Sequence, residues 1–301
     1  MTSHDQHFKN LIGDYLLQSL KMMLPDLTAS WPADVRIVPI RQEQLKARMG
    51  DTFRELDIPV AVEFPDQSRK ALVIVIEIES KDREEFLYYL SIVCTHVAML
   101  LKTRRIIPVA FYPFRSAPLA ESFTLGDDDT DYQVFRCRSC VLGTMQARDY
   151  ESSKNLVARL CLPLMKHDPA EKLLMVTRAY EALAEFEPDA GKRIKYAEFV
   201  GLYADLSKDE ETEFREIYVD QSPYRENIMT LTEIWEERGE VRGEARGEVR
   251  GRAIGQVEVI MGMYADGELS AESARARLSK LLLKDAVPKE LIENALKKIP
   301  N

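Results

Sequence analysis

Ala71-Leu72-Val73-Ile74-Val75-Ile76-Glu77-Ile78-Glu79-Ser80-Lys81 is the stretch that decides the fold. Ala71 to Ile76 and Ile78 are apolar and mostly β-branched, the pattern of a strand covered on both faces. Strand residues alternate sides. Glu77, Glu79 and Lys81 are therefore expected on one side, and Ile74, Ile76 and Ile78 on the other. A buried charge costs several kcal/mol, on the order of a whole side chain's burial, unless it is paired or binds an ion. The competing reading is a strand that emerges into water with its charges solvated.

Working outward, Asp82-Arg83-Glu84-Glu85 is a capping-box pattern. A helix is expected next, with Phe86, Leu90, Val93, Val97 and Leu100 on one face, and then a strand from Ile106 to Tyr112. On the other side, residues 52–64 predict a strand, irregular or edge-facing at Pro59, which has no N–H to donate. Residues 65–68 predict a turn and Val35–Ile40 a short strand. Phe8, Leu11, Ile12, Tyr15, Leu16 and Leu20 recur at helical spacing and predict one helix over 4–24, ended by Pro25. A crossover helix between strands implies a mixed sheet. The fold class is thus α/β: a mixed β-sheet flanked by helices, followed by an α-helical C-terminal half.

Residues 116–131 predict a loop and 132–142 one further strand. Asp168-Pro169 with Glu171, and Ser222-Pro223, are helix starts. Residues 192–206 and 208–219 predict amphipathic helices, and 270–283 and 288–299 short ones. Over 238–255 glycine recurs every fourth residue, from Gly239 to Gly255, among Glu and Arg. This is either a helix with a small-residue stripe or a frayed linker. The expected division is 1–145 as a sheet core, 146–236 as a helical subdomain, 237–256 as the repeat, and 257–301 as a small helical segment.

Composition bounds the function. With 46% hydrophobic residues a sizeable core is available, so this is a globular chain of one large domain or two small ones. No uncharged apolar run is long enough to span a membrane. The N-terminus lacks signal-peptide character, and four cysteines make no disulfide scaffold, so a reducing cytoplasm is the expected location. The net charge of −9 counts against a wholesale nucleic-acid binder. Residues 1–150 carry 18 basic against 21 acidic side chains, a near-neutral −3, which permits a local basic surface there.

The chemistry is expected at Asp57, Glu79, Ser80 and Lys81. In a hairpin, Asp57 and Glu79 can lie side by side, and two such carboxylates repel unless a cation sits between them. The Ser80 carbonyl can add a third oxygen. Magnesium is the default ion and manganese its substitute. Lys81 can serve an attacking water and offset phosphate charge, while the ion polarises the phosphoryl oxygen. Glu77 is an auxiliary acid, an alternative ligand or a partner of Lys81. Arg104 and Arg105 are candidate phosphate contacts, with plain surface charge as the stronger reading. Cys137 and Cys140 stand three apart on an expected strand and so face opposite ways, which argues against a metal pair. Trp31 and Trp235 read as packing residues, and His4 and His7 as neighbours of the first helix start.

His4-Asp5-Gln6-His7-Phe8-Lys9, Arg54-Glu55-Leu56-Asp57, Ile78-Glu79-Ser80-Lys81, Ile107–Tyr112 and the Gly-Glu-x-Arg repeat occur in that order. The ordered set resembles the PD-(D/E)XK nuclease superfamily, and more closely the bacterial Rpn group of recombination-promoting nucleases or putative transposases. The resemblance implies a restriction-endonuclease-like core over residues 1–145 and magnesium-dependent cleavage of DNA in recombination. It also implies that Asp57, Glu79 and Lys81 are the metal and catalytic residues, with Arg54 entering the metal-bearing strand. Glu77 and the nearby Pro59 depart from the pattern. The alternative expectation is a nuclease-fold protein that does not cut and acts as a binding module, a homo-oligomer through its C-terminal helices.

Overall fold

The computed structural model describes residues 4–40, 56–65, 72–80, 85–117, 119–282 and 289–299. At 234–253, 281–282, 289–291 and 293 it describes the backbone alone. The chain divides into two compact units, residues 1–232 and 233–301.

The first unit is built on a mixed five-stranded sheet. Its strands are β1 (Arg36–Pro39), β2 (Ile58–Glu63), β3 (Leu72–Ile78), β4 (Ile106–Tyr112) and β7 (Arg138–Val141), in the order β1-β2-β3-β4-β7. The β1–β2 and β2–β3 pairs are antiparallel; β3–β4 and β4–β7 are parallel. The quoted apolar run is β3, flanked on both sides and buried along its whole described length. Ile74, Ile76 and Ile78 join one core, and Val73 and Val75 the other, as alternation requires. Helix α4 (Phe86–Leu101) is the crossover from β3 to β4, and it buries Phe86, Leu90, Val93 and Val97 on the Val73/Val75 face.

The opposite face is covered by α1 (His4–Asp14), α2 (Leu16–Met23) and the helices that follow the sheet. These are α5 (Leu156–Leu160), α6 (Lys172–Phe186) and α7 (Ala190–Ala204). One core contains Phe8, Ile76, Leu160, Tyr180 and Tyr196, so the helices after residue 146 and the sheet share it.

Several elements differ from the sequence expectation. The first helix breaks at Tyr15 (φ −133°, ψ 49°). The phenol of Tyr15 donates to Glu187, the Leu156 N–H donates to Gln18 Oε1 at 2.6 Å, and Asn155 Nδ2 donates to the Gln18 carbonyl at 2.8 Å. These anchors redirect α2 towards α5. Pro25 opens a further turn, α3 (Pro25–Thr28), and the break falls on Leu24, because a residue before proline avoids the helical region.

Pro59 lies within β2, and its carbonyl accepts from Ile40 N–H at 2.9 Å. The side without a donor therefore faces the edge strand where that strand ends.

Residues 116–131 are not simply a loop. They contain β5 (Ser122–Gly126), which pairs antiparallel with β6 (Asp131–Arg136). The acidic run is the hairpin turn: Asp127 Oδ1 accepts from the main-chain N–H groups of Asp129 (3.0 Å) and Thr130 (2.8 Å). The single strand expected over 132–142 is two strands, β6 and β7, changing partner at Cys137. Cys137 and Cys140 pack in different cores.

Asp168 and Glu171 form a capping box ahead of α6. Helix α8 (Lys208–Glu213) passes into a π-helical turn, Phe214–Val219. Helix α9 (Arg225–Ala265) runs through the glycine repeat. In the second unit, α10 (Ala271–Leu282) and α11 (Lys289–Lys297) follow, with a small core of Val257, Ala274, Leu278, Ile292, Ala295 and Ile299. No helix among the described residues is long and apolar enough to cross a membrane.

Candidate functional site

The site lies where β2 begins and β3 ends. Ile58 pairs with Ile76, so the antiparallel register sets Asp57 opposite Glu77 rather than Glu79. The main-chain N–H of Asp57 donates to Glu77 Oε1 at 3.1 Å, and the N–H of Ile78 donates to Asp57 Oδ2 at 2.7 Å. The expectation that Asp57 and Glu79 are direct neighbours is thereby corrected: two-residue periodicity moves Glu79 one full repeat beyond Asp57.

Leu56 packs in the α4-side core and Ile58 in the α1-side core. The backbone therefore turns at Asp57, and its carboxylate takes a main-chain acceptor's place in the ladder. The other oxygen, Oδ1, is 2.7 Å from Lys9 Nζ. Lys9 follows Phe8, which is fully buried against the sheet, and the packing of that ring fixes where the lysine stem starts. Lys9 is a neighbour of the site that the spacing of Asp57, Glu79 and Lys81 does not reveal. Its signal is the adjacency of Lys9 to a core aromatic in the His-Asp-x-x-Phe-Lys motif.

Glu77 and Glu79 are both buried, at 3% and 4% exposure. Glu77 bears on α4: the Cys94 thiol is pushed up to about 12, first by burial and then by the Glu77 charge. The N–H of Glu79 donates to the Phe111 carbonyl at 2.9 Å, which ties the end of β3 to β4. Ser80 follows, half-buried. Lys81, Arg54 and most of the capping-box stretch lie outside the described residues, as does the side chain of Trp235.

Arg104 and Arg105 do not join the site. The Arg105 carbonyl accepts from Val73 N–H at 2.8 Å, at the start of β3. Six residue steps separate Val73 from Glu79, or about 20 Å at the usual rise per residue. Both arginines are exposed, as surface charge would be.

The donor set of Asp57, Glu77 and Glu79 is all carboxylate oxygen, which fits a hard divalent cation. Among the described residues no group of three or more His, Cys, Asp or Glu side chains is gathered as ligands. An ion on Asp57 Oδ1 takes the place held by the Lys9 ammonium. The four cysteines are buried thiols, and burial pushes Cys140 up to about 12 and Cys137 up to about 11. They are poor ligands or nucleophiles in that state.

His4 and His7 sit in an aromatic cluster with Phe114 and Tyr203. Burial, and then the neighbouring His4, hold His7 below the ordinary histidine range.

Comparison with known proteins adds nothing to this geometry: no family model, no curated protein and no solved structure matches the chain.

Proposed function

We propose that the chain is a magnesium-dependent endonuclease that hydrolyses phosphodiester bonds in DNA, with manganese as a substitute ion. One observation carries the reading: half-buried Asp57 at the start of β2 and buried Glu77 and Glu79 at the end of β3 lie at one end of the sheet, beside a lysine, in a helix-strand-strand-strand-helix-strand core. That order is the one the Rpn resemblance implies. Asp57, whose Oδ2 is clamped by the Ile78 N–H, would offer the ion its Oδ1 in place of the Lys9 ammonium. Glu79 and the Ser80 carbonyl would be the further ligands, with Glu77, opposite Asp57 in the strand register, as an auxiliary acid. Lys81 serves the attacking water. The ion, when bound, polarises the phosphoryl oxygen and acidifies water. Lys9 holds the Asp57 carboxylate in place until then.

Nicking of supercoiled plasmid with magnesium tests the reading. Wild type cuts, and Asp57→Ala, Glu79→Ala and Lys81→Ala do not. Cleavage by all three at the wild-type rate sinks it.

A second reading has its own support. Lys9 already neutralises Asp57, and the glycine repeat lies within one continuous helix, α9. In that reading the chain is a binding module that self-associates through residues 223–255 and binds no divalent ion. Calorimetric titration with magnesium separates the two readings.

A further inference from the structure

We propose that the exposed stripe of α4 is the seam of a symmetric dimer, in which α4 of a second copy of this chain lies antiparallel against it. The proposal rests on neither reading of the acid site and uses residues other than 223–255.

Helix α4 is one-sided in its packing but not in its composition. Its 16 residues include no Asp, Glu, Lys or Arg. Phe86, Leu90, Val93 and Val97 face the sheet. The opposite side carries Tyr88, Ile92, Thr95 and Met99, all exposed, with Ile92 at 47% and Met99 at 72%. A surface helix ordinarily turns charged residues to water, and one that is apolar all round is covered on every side. The β5–β6 hairpin lies along α4: the Phe123 ring is 4.2 Å from that of Tyr88, and Gln133 Nε2 donates to Ser91 Oγ at 3.4 Å. It leaves the stripe open. A row of exposed apolar side chains on a packed helix marks a place of contact.

Spacing and charge select the occupant. Glu85 and Lys102 cap the two ends of α4, and both are exposed. With them the stripe reads Glu85, Tyr88, Ile92, Thr95, Met99, Lys102, in alternating steps of three and four, the repeat of a coiled-coil seam. That series of steps is the same in either direction. A two-fold axis between Ile92 and Thr95 sets Ile92 against the partner's Thr95, Tyr88 against the partner's Met99, and Glu85 against the partner's Lys102. The uncharged positions meet one another, and each end of the seam gains an ion pair. This is the self-complementarity that a two-fold contact requires. Parallel pairing sets like charges together at both ends, which repel. The seam is small for a specific interface, so the expected Kd is micromolar.

The test is sedimentation velocity with the full chain from about 1 to 200 μM, which brackets such a Kd. Wild type is expected to pass from monomer to dimer over that range. Ile92→Glu, which puts like charges at the centre of the seam, should weaken the dimer about a hundredfold. Glu85→Lys and Lys102→Glu should each weaken it about tenfold when alone. Mixed in equal amounts, these two variants should recover wild-type association, because each then meets the opposite charge at both ends. The mixing arm leaves the apolar stripe intact, so it decides the matter even if Ile92→Glu fails to fold. Wild type that stays monomeric throughout overturns the proposal. A dimer that survives Ile92→Glu also overturns it, since assembly then runs through another face. A mixture no tighter than either variant alone overturns the antiparallel register. None of these readouts needs metal or DNA, so their failure is separate from failure of the nuclease reading.

Discussion

Lys9 and Asp57 are held 2.7 Å apart across 48 residues of chain, an ion pair that joins the first helix to the second strand at the edge of the acid cluster. The ammonium sits where a divalent ion would compete for the same oxygen. Lys9→Ala should therefore lower stability by about 1 kcal/mol, the scale of a partly exposed pair. The same variant should gain more from magnesium than wild type does. Urea unfolding with and without the ion reads both effects. An unchanged response to magnesium in the variant would refute the competition.

Asp57 has a structural role besides its proposed chemical one, because it caps the Ile78 N–H. Asp57→Asn retains an acceptor for that N–H and loses the charge, whereas Asp57→Ala loses both. The alanine variant should be about 1–2 kcal/mol less stable than the asparagine variant, the cost of an unsatisfied N–H. Neither should cut DNA. Parallel unfolding and nicking assays separate the two roles, and equal stability of the two variants would show that the hydrogen bond contributes nothing.

Glu181 anchors a buried ionic network. It accepts from Ser222 Oγ at 2.7 Å and from Arg178 Nη1 at 2.8 Å, and lies 3.7 Å from Arg159 Nη2. Arg159 is 5% exposed. Glu181→Ala leaves that guanidinium with Glu185 as its remaining carboxylate and should cost about 3 kcal/mol. Arg159→Met should cost less, about 1–2 kcal/mol, because Glu181 keeps Arg178 and Ser222 as partners when the guanidinium goes. Denaturant midpoints at equal m-values decide the comparison.

The acid limb of stability should carry a contribution from Asp14. Burial pushes this carboxyl up, but hydrogen bonds from Lys195 (2.7 Å) and Tyr196 (2.5 Å) outweigh it and hold Asp14 below the usual range. A depressed folded-state value stabilises the protein above the unfolded value, near 3.9. That stability is lost as pH falls through the folded value. Wild type should exceed Asp14→Asn in urea midpoint at neutral pH, and the two should converge in acid. A constant gap at every pH would rule out the linkage.

Gly126 closes the β5–β6 turn, where an added Cβ would lie 2.1 Å from the Thr130 carbonyl oxygen. Gly126→Ala should speed hydrogen exchange in β5 and β6 about tenfold, as overpacking of this size does. Global unfolding should be unchanged, because the hairpin forms its own two-stranded sheet.

The sequence by itself determined β3, β4, α4 and the helix start at Asp168. Each is written locally, by β-branched runs, a helical apolar face or a capping residue. It also determined that Cys137 and Cys140 face opposite cores, since strand alternation follows from backbone geometry alone. Only the tertiary structure decided the break at Tyr15, because its causes, Glu187, Asn155 and Leu156, lie more than 130 residues away. The β5–β6 hairpin was hidden by an acidic run whose Asp127 side chain makes the turn. The composition of the acid cluster was hidden as well. Alternation shows which acids share a side of β3, but only the pairing register with β2 sets Glu77 opposite Asp57, and only the packing of Phe8 brings Lys9 to it. Register and helix docking are relations between distant segments, and no local pattern encodes them.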